Sequence, residues 1–363
     1  MVAATQHLHR HGCMDAGPWG GSAIAIIGEV QGDPHAAEKP GNLVLGPHSD
    51  GVALRALTDR ARANDMHLWA QLGHAGAMAF PPISIPKGPS TLDLPGLSCA
   101  ALTPADIAAL PAQFANTAQL AQHHGFSGVQ IHAAHGFLLS QFLSPLFNKR
   151  TDDYGGALSN RMRLLCKVIA AARTAVGPRF PVALKLNATD QLEGGFSEPE
   201  ALDVVKALDQ TSIDLIDISG GTYFPGAKSA SDSAGNGPYF ANFAKSARTM
   251  TTKPLMLTGG FKTKAQAIAT IADGTADLIG LARALVLDPD LPNAWQANKD
   301  ITFPRFTDPP ESGVTAWYTQ RIRRIGEDQP LDPSTDVIEA LAQYNARDER
   351  RLSMWNAQFG GCT

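Results

Sequence analysis

The sequence predicts an α/β protein folded as a (β/α)8 TIM barrel. Seven short runs of apolar and β-branched residues alternate with segments of helical periodicity, which is the pattern of parallel βα units. Several runs are too apolar for a strand with one solvated face, as expected of parallel strands that are covered on both sides. A loop with His132 and His135 directly follows one run, where such barrels carry their reactive groups.

The seven strands can be placed from these runs. We predict them at residues 22–30, 67–72, 128–131, 181–186, 214–219, 254–257 and 277–281. Two of the intervening helices have clear start signals. Thr103-Pro104 puts proline at the first helical position, and Ser197 followed by Glu200 is a capping-box pattern.

A closed barrel of this type needs eight strands, so one strand must precede residue 22. Residues 1–5, MVAAT, are apolar enough for a truncated first strand. Residues 6–21 contain four glycines and a proline and show no helical period. We therefore expect the first helix to be missing and a loop to take its place.

Two further segments lie outside the βα pattern. Residues 79–100 are proline-rich and predict a long surface loop, of the kind that often covers a functional site. Near the C-terminus we predict helices at about residues 312–326 and 334–355, which pack either on the barrel or on a second subunit of a homodimer. We expect a barrel domain over residues 1–300 and a helical extension over residues 301–363.

Composition excludes several classes of function. The chain is 44% apolar and 18% charged, with a net charge of -4, so no basic surplus indicates nucleic acid. No apolar run approaches the roughly 18 residues of a membrane span, and no secretory signal is visible. The four cysteines, Cys13, Cys99, Cys166 and Cys362, lack paired or metal-like spacing. We expect a cytoplasmic protein that acts on a small molecule, without a nucleic-acid or membrane partner.

His132 and His135 are the strongest candidates for chemistry. Two hydrogen-bonded structural histidines would explain the pair equally well. A metal site would need a third ligand, and no carboxylate or cysteine stands at ligand spacing nearby, so we predict no metal. Alternatively, the two imidazole N–H groups converge on one carbonyl oxygen and stabilise the negative charge that develops there.

Glycine-rich turns follow the last two predicted strands. The first contains Gly259 and Gly260, and the second contains Gly280 and Arg283. In TIM barrels these loops commonly bind phosphate through backbone N–H groups, and an arginine adds a charge-assisted contact. The turns therefore predict a phosphate site.

Two polar residues interrupt other predicted strands. Gln71 ends one strand, and Lys185 lies inside the apolar run PVALKL, where its charge would be costly without an anionic partner. Gln71 is explained equally well by a hydrogen bond within the barrel layer, and Lys185 by a side chain that reaches solvent at the strand end.

The motifs HLWAQLGHAG, IHAAHGF, QFLSP, NKRTDDYGG and ADLIGLARALVLDPDL resemble the old yellow enzyme family. The resemblance extends over about residues 22–325. It implies an FMN-binding (β/α)8 barrel in which NADH or NADPH reduces the flavin, and the flavin passes hydride to the β-carbon of an activated alkene. His132 and His135 would then hold the substrate carbonyl.

The resemblance also implies the cofactor contacts. Gln71 would bind the pyrimidine edge of the flavin, and Lys185 would lie beside N1 and O2 and stabilise the anionic reduced ring. The glycine turns and Arg283 would bind the phosphate. The full implied set is Thr5, Gly28, Gln71, Lys185, Gly259, Gly260, Gly280 and Arg283.

The chain departs from the family pattern in three places. Many members have a tyrosine that donates a proton to the α-carbon, and Phe137 occupies that position here, so Tyr223 or water would have to serve. The family's HAGR segment ends in Ala77 instead of arginine. The N-terminal region is short, and the resemblance resumes at Trp19-Gly-Gly21.

These observations leave three functions to distinguish. The leading one is an FMN-dependent reduction of an α,β-unsaturated carbonyl compound. The alternative is a barrel of the same descent that has lost flavin or reductase activity and isomerises or cyclises a carbonyl substrate, which the N-terminal change and Phe137 favour. A binding or scaffold barrel is the third.

Overall fold

The structure of the protein is a computed structural model. The described residues are 2–6, 21–224, 237–299, 301, 303, 306, 310–327, 329 and 336–360, with the backbone alone described for residues 2–6.

Eight parallel strands close into a barrel. They are β1 (Val2–Gln6), β2 (Ile24–Gln31), β3 (His67–Gly73), β4 (Gly128–Ala133), β5 (Val182–Asn187), β6 (Leu215–Ser219), β7 (Leu255–Thr258) and β8 (Leu278–Leu281). Each strand pairs with the next, and β1 pairs with both β2 and β8, which closes the sheet on itself. The predicted (β/α)8 fold is confirmed, and the seven internal strands begin and end within two residues of their predicted limits.

The first strand is also present, at the predicted position. Its backbone pairs Ala3 with Gly280 of β8 and Thr5 with Ile26 of β2. The predicted absence of the first helix concerns residues 7–20, which lie outside the described residues.

Helices cover the outside of the barrel. They are α1 (Gly51–Ala63), α2 (Pro104–His123), α3 (Arg163–Val176), α4 (Glu198–Leu208), α5 (Ala241–Arg248) and α6 (Lys264–Ala272). Both predicted start signals are used, because Thr103 with Asp106 caps α2 and Ser197 with Glu200 caps α4. Each box satisfies N–H groups that the first helical turn leaves unpaired.

Shorter helices lie after β4 and β8, and single helical turns lie after β2 and β3. They are Leu138–Leu143, Leu158–Arg161, Arg283–Leu287 and Leu291–Gln296, together with single turns at Pro34–Ala36 and Gly76–Met78.

The segment predicted as a surface loop contains a small sheet of its own. Leu92–Leu94 and Leu97–Ala101 form an antiparallel pair around a turn at Gly96, and Lys87–Gly88 adds in parallel. Gly96 has a φ of 80°, which the Pro-Gly turn allows without strain. The prediction of a plain loop was therefore wrong within residues 87–100.

Two long helices, α7 (Gly313–Gly326) and α8 (Val337–Phe359), lie near their predicted positions. Trp355 and Phe359 of α8 pack against Ala37, Val44 and Ile83, which belong to the loops that follow β2 and β3. The helix therefore covers one side of the barrel mouth, which is the end of the barrel at the C-terminal ends of the strands. Within the part of the chain that is described, no helix combines the length and apolarity that crossing a bilayer requires.

The barrel interior is layered because side chains in a strand alternate between its two faces. The lowest layer is apolar and includes Trp69, Ala183, Leu215 and Met256. Two residues further along the same four strands, the inward side chains are Gln71, Lys185, Asp217 and Thr258. All four are buried. The polar layer at the mouth of the barrel therefore packs on an apolar layer.

Candidate active site

A chain of hydrogen bonds crosses the barrel mouth through the two predicted histidines. Nε2 of His132 lies 3.1 Å from Nδ1 of His135, and Nε2 of His135 lies 2.9 Å from the hydroxyl of Ser219 at the end of β6. At the other end, Nδ1 of His132 contacts the carboxylate of Glu29 on β2. The structure thus brings His132 and His135 together and adds Glu29 and Ser219 to them.

Glu29 enters the mouth because β2 contains a bulge. Ile27 pairs with Ala70 and Val30 with Leu72, so two residues of β2 stand opposite the single residue Gln71. Ile27 and Val30 both belong to the outer core, whereas strict alternation would put them on opposite faces. The extra residue turns Glu29 towards the barrel interior, which is a common use of bulges beside active sites.

The backbone of His135 is held in an unusual conformation. Its φ is 59°, a left-handed value that is rare for residues other than glycine. Oδ1 of Asn187 accepts a 3.0 Å hydrogen bond from the His135 N–H, and Nδ2 of Asn187 donates to Asp190 at 3.0 Å and to the carbonyl of Gly221 at 2.8 Å. Asn187 therefore ties the loops after β4, β5 and β6 together and fixes the His135 ring.

Two aromatic rings pack against the histidines. The Phe137 ring centroid lies 4.9 Å from that of His132, and the Tyr223 centroid lies 5.7 Å from that of His135. Tyr223 is 59% exposed, but the walls of the mouth desolvate its phenol and, with the charges of Glu38 and Glu29, raise its pKa to about 12. The hydroxyl of Tyr223 therefore keeps its proton throughout the physiological pH range.

Lys185 has the anionic partner that its burial requires. Its ammonium lies 2.5 Å from Oδ2 of Asp217, and both side chains are almost fully buried. Asp217 also accepts hydrogen bonds from Thr258 and from Gln130, which in turn accepts one from Gln71 at 2.7 Å. Gln71 thus makes a hydrogen bond within the barrel layer, which is one of the two explanations that its sequence position allowed. Lys185 is buried and does not reach solvent.

The two glycine turns line one pocket. It contains about 450 Å³ of atom-free space that is open to solvent, and its walls include Gly259, Gly260, Gly280 and Arg283. A Cβ on Gly260 would lie 2.3 Å from the carbonyl oxygen of Gly237, and one on Gly280 would lie 1.9 Å from Oγ1 of Thr258. Gly260 and Gly280 have no room for a larger residue, so the backbone forms these parts of the pocket wall.

The remaining predicted contacts lie on the first two strands. Thr5 is on β1, where its backbone pairs with β2, and its side chain is outside the described residues. Gly28 lies in the β2 bulge, where a Cβ would come within 2.3 Å of Oε1 of Gln71. Among the residues that the structure describes, no group of three or more His, Cys, Asp or Glu side chains could hold a metal ion.

Four polar residues of the site were not singled out in the sequence: Glu29, Asn187, Asp217 and Ser219. Glu29 and Asp217 carried the same signal as Lys185, because each is a charge inside an apolar strand, IAIIGEV or DLIDIS. Asn187 and Ser219 each end a strand, a position that the sequence marks without indicating a partner.

A closed barrel with a glycine-lined pocket after β7 and β8, and reactive side chains in the adjoining mouth, defines the class of cofactor-dependent barrel enzymes. A model of the NADH:flavin oxidoreductase / NADH oxidase family matches residues 20–301. The chain belongs to this FMN-dependent family, and the resemblance found in the sequence is confirmed.

Individual relatives agree with this assignment. The NADH-dependent flavin oxidoreductase iccE of Talaromyces variabilis is 31% identical over 331 residues, which cover 78% of this chain and 77% of the relative. The NADH-dependent flavin oxidoreductase iliE of Neonectria sp. (strain DH2) is 40% identical over 228 residues, but these cover 60% of this chain and 29% of the relative.

The fold is shared with solved structures. An old yellow enzyme homologue from Zymomonas mobilis superposes with a TM-score of 0.72 at 22% identity, covering 91% of this chain and 95% of that one. At this identity the likeness concerns the barrel architecture.

The buried pair makes a prediction about stability. Asp217→Asn leaves the Lys185 charge without its carboxylate in the barrel interior, and breaking such pairs costs about 3–5 kcal/mol. We expect the free energy of unfolding, measured by denaturant titration of the cofactor-free protein, to fall by about this amount.

Two variants serve as controls. Asp59→Asn removes a carboxylate from an exposed pair with Arg62 and should change the free energy of unfolding by less than about 1 kcal/mol. Replacing both partners, Lys185→Met with Asp217→Leu, should recover most of the loss. Equal stability of the Asp217→Asn and Asp59→Asn proteins would contradict the assigned ion pair.

Proposed function

We propose that this protein reduces the activated C=C bond of an α,β-unsaturated carbonyl compound, using FMN that NADH or NADPH reduces in turn. The observation that carries the proposal is the pair of facing imidazole nitrogens, 3.1 Å apart, in the mouth of an FMN-family barrel. Bound FMN would supply the hydride chemistry, and the protein would bind, orient and polarise the substrate.

The chain's own residues fit FMN. The phosphate would lie in the pocket between the turns of Gly259-Gly260 and Gly280, with Arg283 as its charged contact. The backbone walls support this, because any side chain at Gly260 or Gly280 would clash. Gln71 and Lys185, in the polar layer on the barrel side of that pocket, supply an amide and a cation for the polar edge of the ring.

Nε2 of His132 and Nδ1 of His135 would both bind the carbonyl oxygen of the substrate, in place of the hydrogen bond that joins these nitrogens in the structure. Hydrogen bonds from both rings would draw electron density towards that oxygen and make the β-carbon more electrophilic. The exposed ring of Tyr223, which packs edge-on against the buried ring of Phe137, would line the approach to this point and favour a substrate with a flat, conjugated body.

Tyr223 would donate the proton that completes the reduction at the α-carbon. Phe137 stands where many family members have the donor and has no ionisable proton. Tyr223 packs on the edge of both Phe137 and His135, and its raised pKa of about 12 keeps the phenol protonated. Proximity to the histidines and retention of the proton support this role.

A second function is favoured by one observation. The bonds from Glu29 through both histidines to Ser219 form a continuous path along which a proton could move without any redox step. Such a path suits isomerisation or cyclisation of a carbonyl compound. Product analysis distinguishes the two functions, because reduction consumes one NADH or NADPH per product and isomerisation consumes none.

The histidine pair provides the test of the proposed function. Replacing both His132 and His135 with alanine removes the hydrogen bonds to the substrate oxygen but leaves the phosphate pocket intact. We expect at least about a hundredfold loss of enone turnover and weaker binding of phenols, with unchanged FMN content. Loss of FMN in parallel with activity would contradict this division of roles.

The phosphate pocket makes a separate prediction. Arg283→Ala removes a charge-assisted contact worth about 1.5–3 kcal/mol, so FMN should bind roughly 10- to 100-fold more weakly. Equilibrium dialysis against FMN measures this directly. Arg62→Ala on α1, which removes an exposed arginine, is the control and should retain full affinity. Wild-type affinity in the Arg283 variant would mean that the phosphate binds elsewhere.

The proton donor can be tested by separating the two half-reactions. Tyr223→Phe should slow oxidation of the reduced protein by an enone by about 10²- to 10⁴-fold, the usual contribution of a positioned acid, while reduction by NADPH proceeds at the wild-type rate. Anaerobic stopped-flow absorbance follows both steps. Tyr154→Phe, whose hydroxyl bonds Lys167 on α3, is the matched control. An unaffected oxidation rate in Tyr223→Phe would indicate that water supplies the proton.

A further inference from the structure

The hydrogen bonds at the two ends of the histidine pair restrict which ring nitrogens can carry protons. The outer nitrogens, Nδ1 of His132 and Nε2 of His135, are bonded to Glu29 and Ser219, and the inner nitrogens face each other. In the structure these inner nitrogens share one hydrogen bond, so one donates and the other accepts. If the pair binds a carbonyl oxygen as proposed above, the oxygen replaces that bond, and both inner nitrogens must then be N–H donors at once. A carbonyl oxygen only accepts hydrogen bonds, so a deprotonated inner nitrogen would repel it.

With the carbonyl oxygen bound, the number of available protons determines the protonation of each ring. An ionised carboxylate only accepts, so Nδ1 of His132 must carry a proton to bond Glu29, and an inner proton on Nε2 makes this ring a cation. His135 can stay neutral with its proton on the inner Nδ1. Its outer Nε2 must then accept, and the hydroxyl of Ser219 is the group that can donate to it.

We propose that Glu29 and Ser219 are positioning residues that set the protonation of the histidine pair. Glu29 holds His132 as an imidazolium, and the Ser219 hydroxyl, which can accept or donate, allows His135 to take its Nδ1–H form when a ligand binds. The pair then presents two N–H donors and one positive charge to the substrate, which suits an oxygen that is negative or becomes so, such as an enolate or a phenolate.

The surroundings of Glu29 favour its ionised form. The side chains of Glu29 and His132 are 0% and 2% exposed, so the charge of each needs the other. Nε2 of Gln31 donates a 3.0 Å hydrogen bond to Oε2 of Glu29, which stabilises a carboxylate over a carboxylic acid. Gly73 leaves the space this carboxylate occupies, since a Cβ there would lie 2.6 Å from Oε2.

Among the described residues, other ionisable groups also lie near the pair, and the charges of Glu38 and Arg283 act on Tyr223 beside it. Lys185 is the neighbour of His132 across the β4–β5 pairing, and its charge is matched by Asp217. Tyr223 packs on His135 and stays neutral. The structure places the carboxylate of Glu29 in contact with the His132 ring.

Nitrogen NMR of protein labelled with ¹⁵N-imidazole histidine tests the proposal at neutral pH and needs no turnover. In the wild type we expect both ring nitrogens of His132, assigned with a His132→Gln variant, to resonate as protonated nitrogens. In Glu29→Gln, one of them should move to the position of an unprotonated nitrogen. In Ser219→Ala, the resonances of His135 should change and those of His132 should keep their imidazolium pattern.

Glu200→Gln is the matched control, because it removes a carboxylate from another ion pair, with Arg161, on the outer side of the barrel. It should leave the resonances of both histidines unchanged. A neutral His132 in the wild type, or identical His132 resonances in Glu29→Gln and wild type, would overturn the proposal.

Ligand affinity separates this inference from the function on which it rests. In Glu29→Gln, binding of a phenol to the FMN-loaded protein should weaken about 10- to 100-fold, as expected for loss of a charged hydrogen bond. If the NMR changes occur but phenol affinity in Glu29→Gln stays at the wild-type value, the protonation scheme holds and the carbonyl-binding role of the pair fails. If neither changes, the scheme itself is wrong.

Discussion

Charges buried inside a closed barrel must be paired, and this constraint shapes the mouth of the protein. An unpaired ion in a low-dielectric interior costs several kcal/mol, which is a large share of the stability of a whole domain (about 5–15 kcal/mol). The barrel meets the constraint with the ion pair of Lys185 with Asp217 and with the contact between the Glu29 carboxylate and the His132 imidazole. Asp217 also bonds Gln130 on β4 and Thr258 on β7, and His132 is linked through His135 to Ser219 on β6. The same contacts therefore connect the strands and fix the polar groups of the site.

The layering of the strands explains why these groups meet. On one strand after another, an apolar residue faces the barrel axis, a buried polar residue follows two positions later, and a group of the mouth follows two positions after that. Strand β6 illustrates this with Leu215, Asp217 and Ser219. The bulge in β2 breaks the alternation at one place and thereby turns Glu29 towards His132. The regular alternation of side chains places the apolar and polar layers beneath the site, and the bulge in β2 adds Glu29 to the histidine pair.

The sequence predicted most of the fold because the fold depends on local patterns. Apolar runs located the strands, and the side chains of Thr103 and Ser197 located two helix starts. It also identified both histidines and the glycine turns, since these residue types are unusual where they stand. It could not predict the partners of these residues, because a partner such as Ser219 or Glu29 lies on a distant strand whose register and bulge are set by the closed sheet. The small sheet at residues 87–101 was missed because its strands are short and the prolines around them suggested an irregular loop.

The proposed reduction depends on a flavin bound at the barrel mouth, beside these buried polar groups. Titration of the purified protein with FMN, followed by absorbance and then by anaerobic addition of NADPH, measures this most directly. We expect saturation at one FMN per chain and loss of the oxidised flavin bands when NADPH is added. A protein that neither retains nor takes up FMN would contradict the assignment of the pocket after β7 and β8, and with it the proposed reduction.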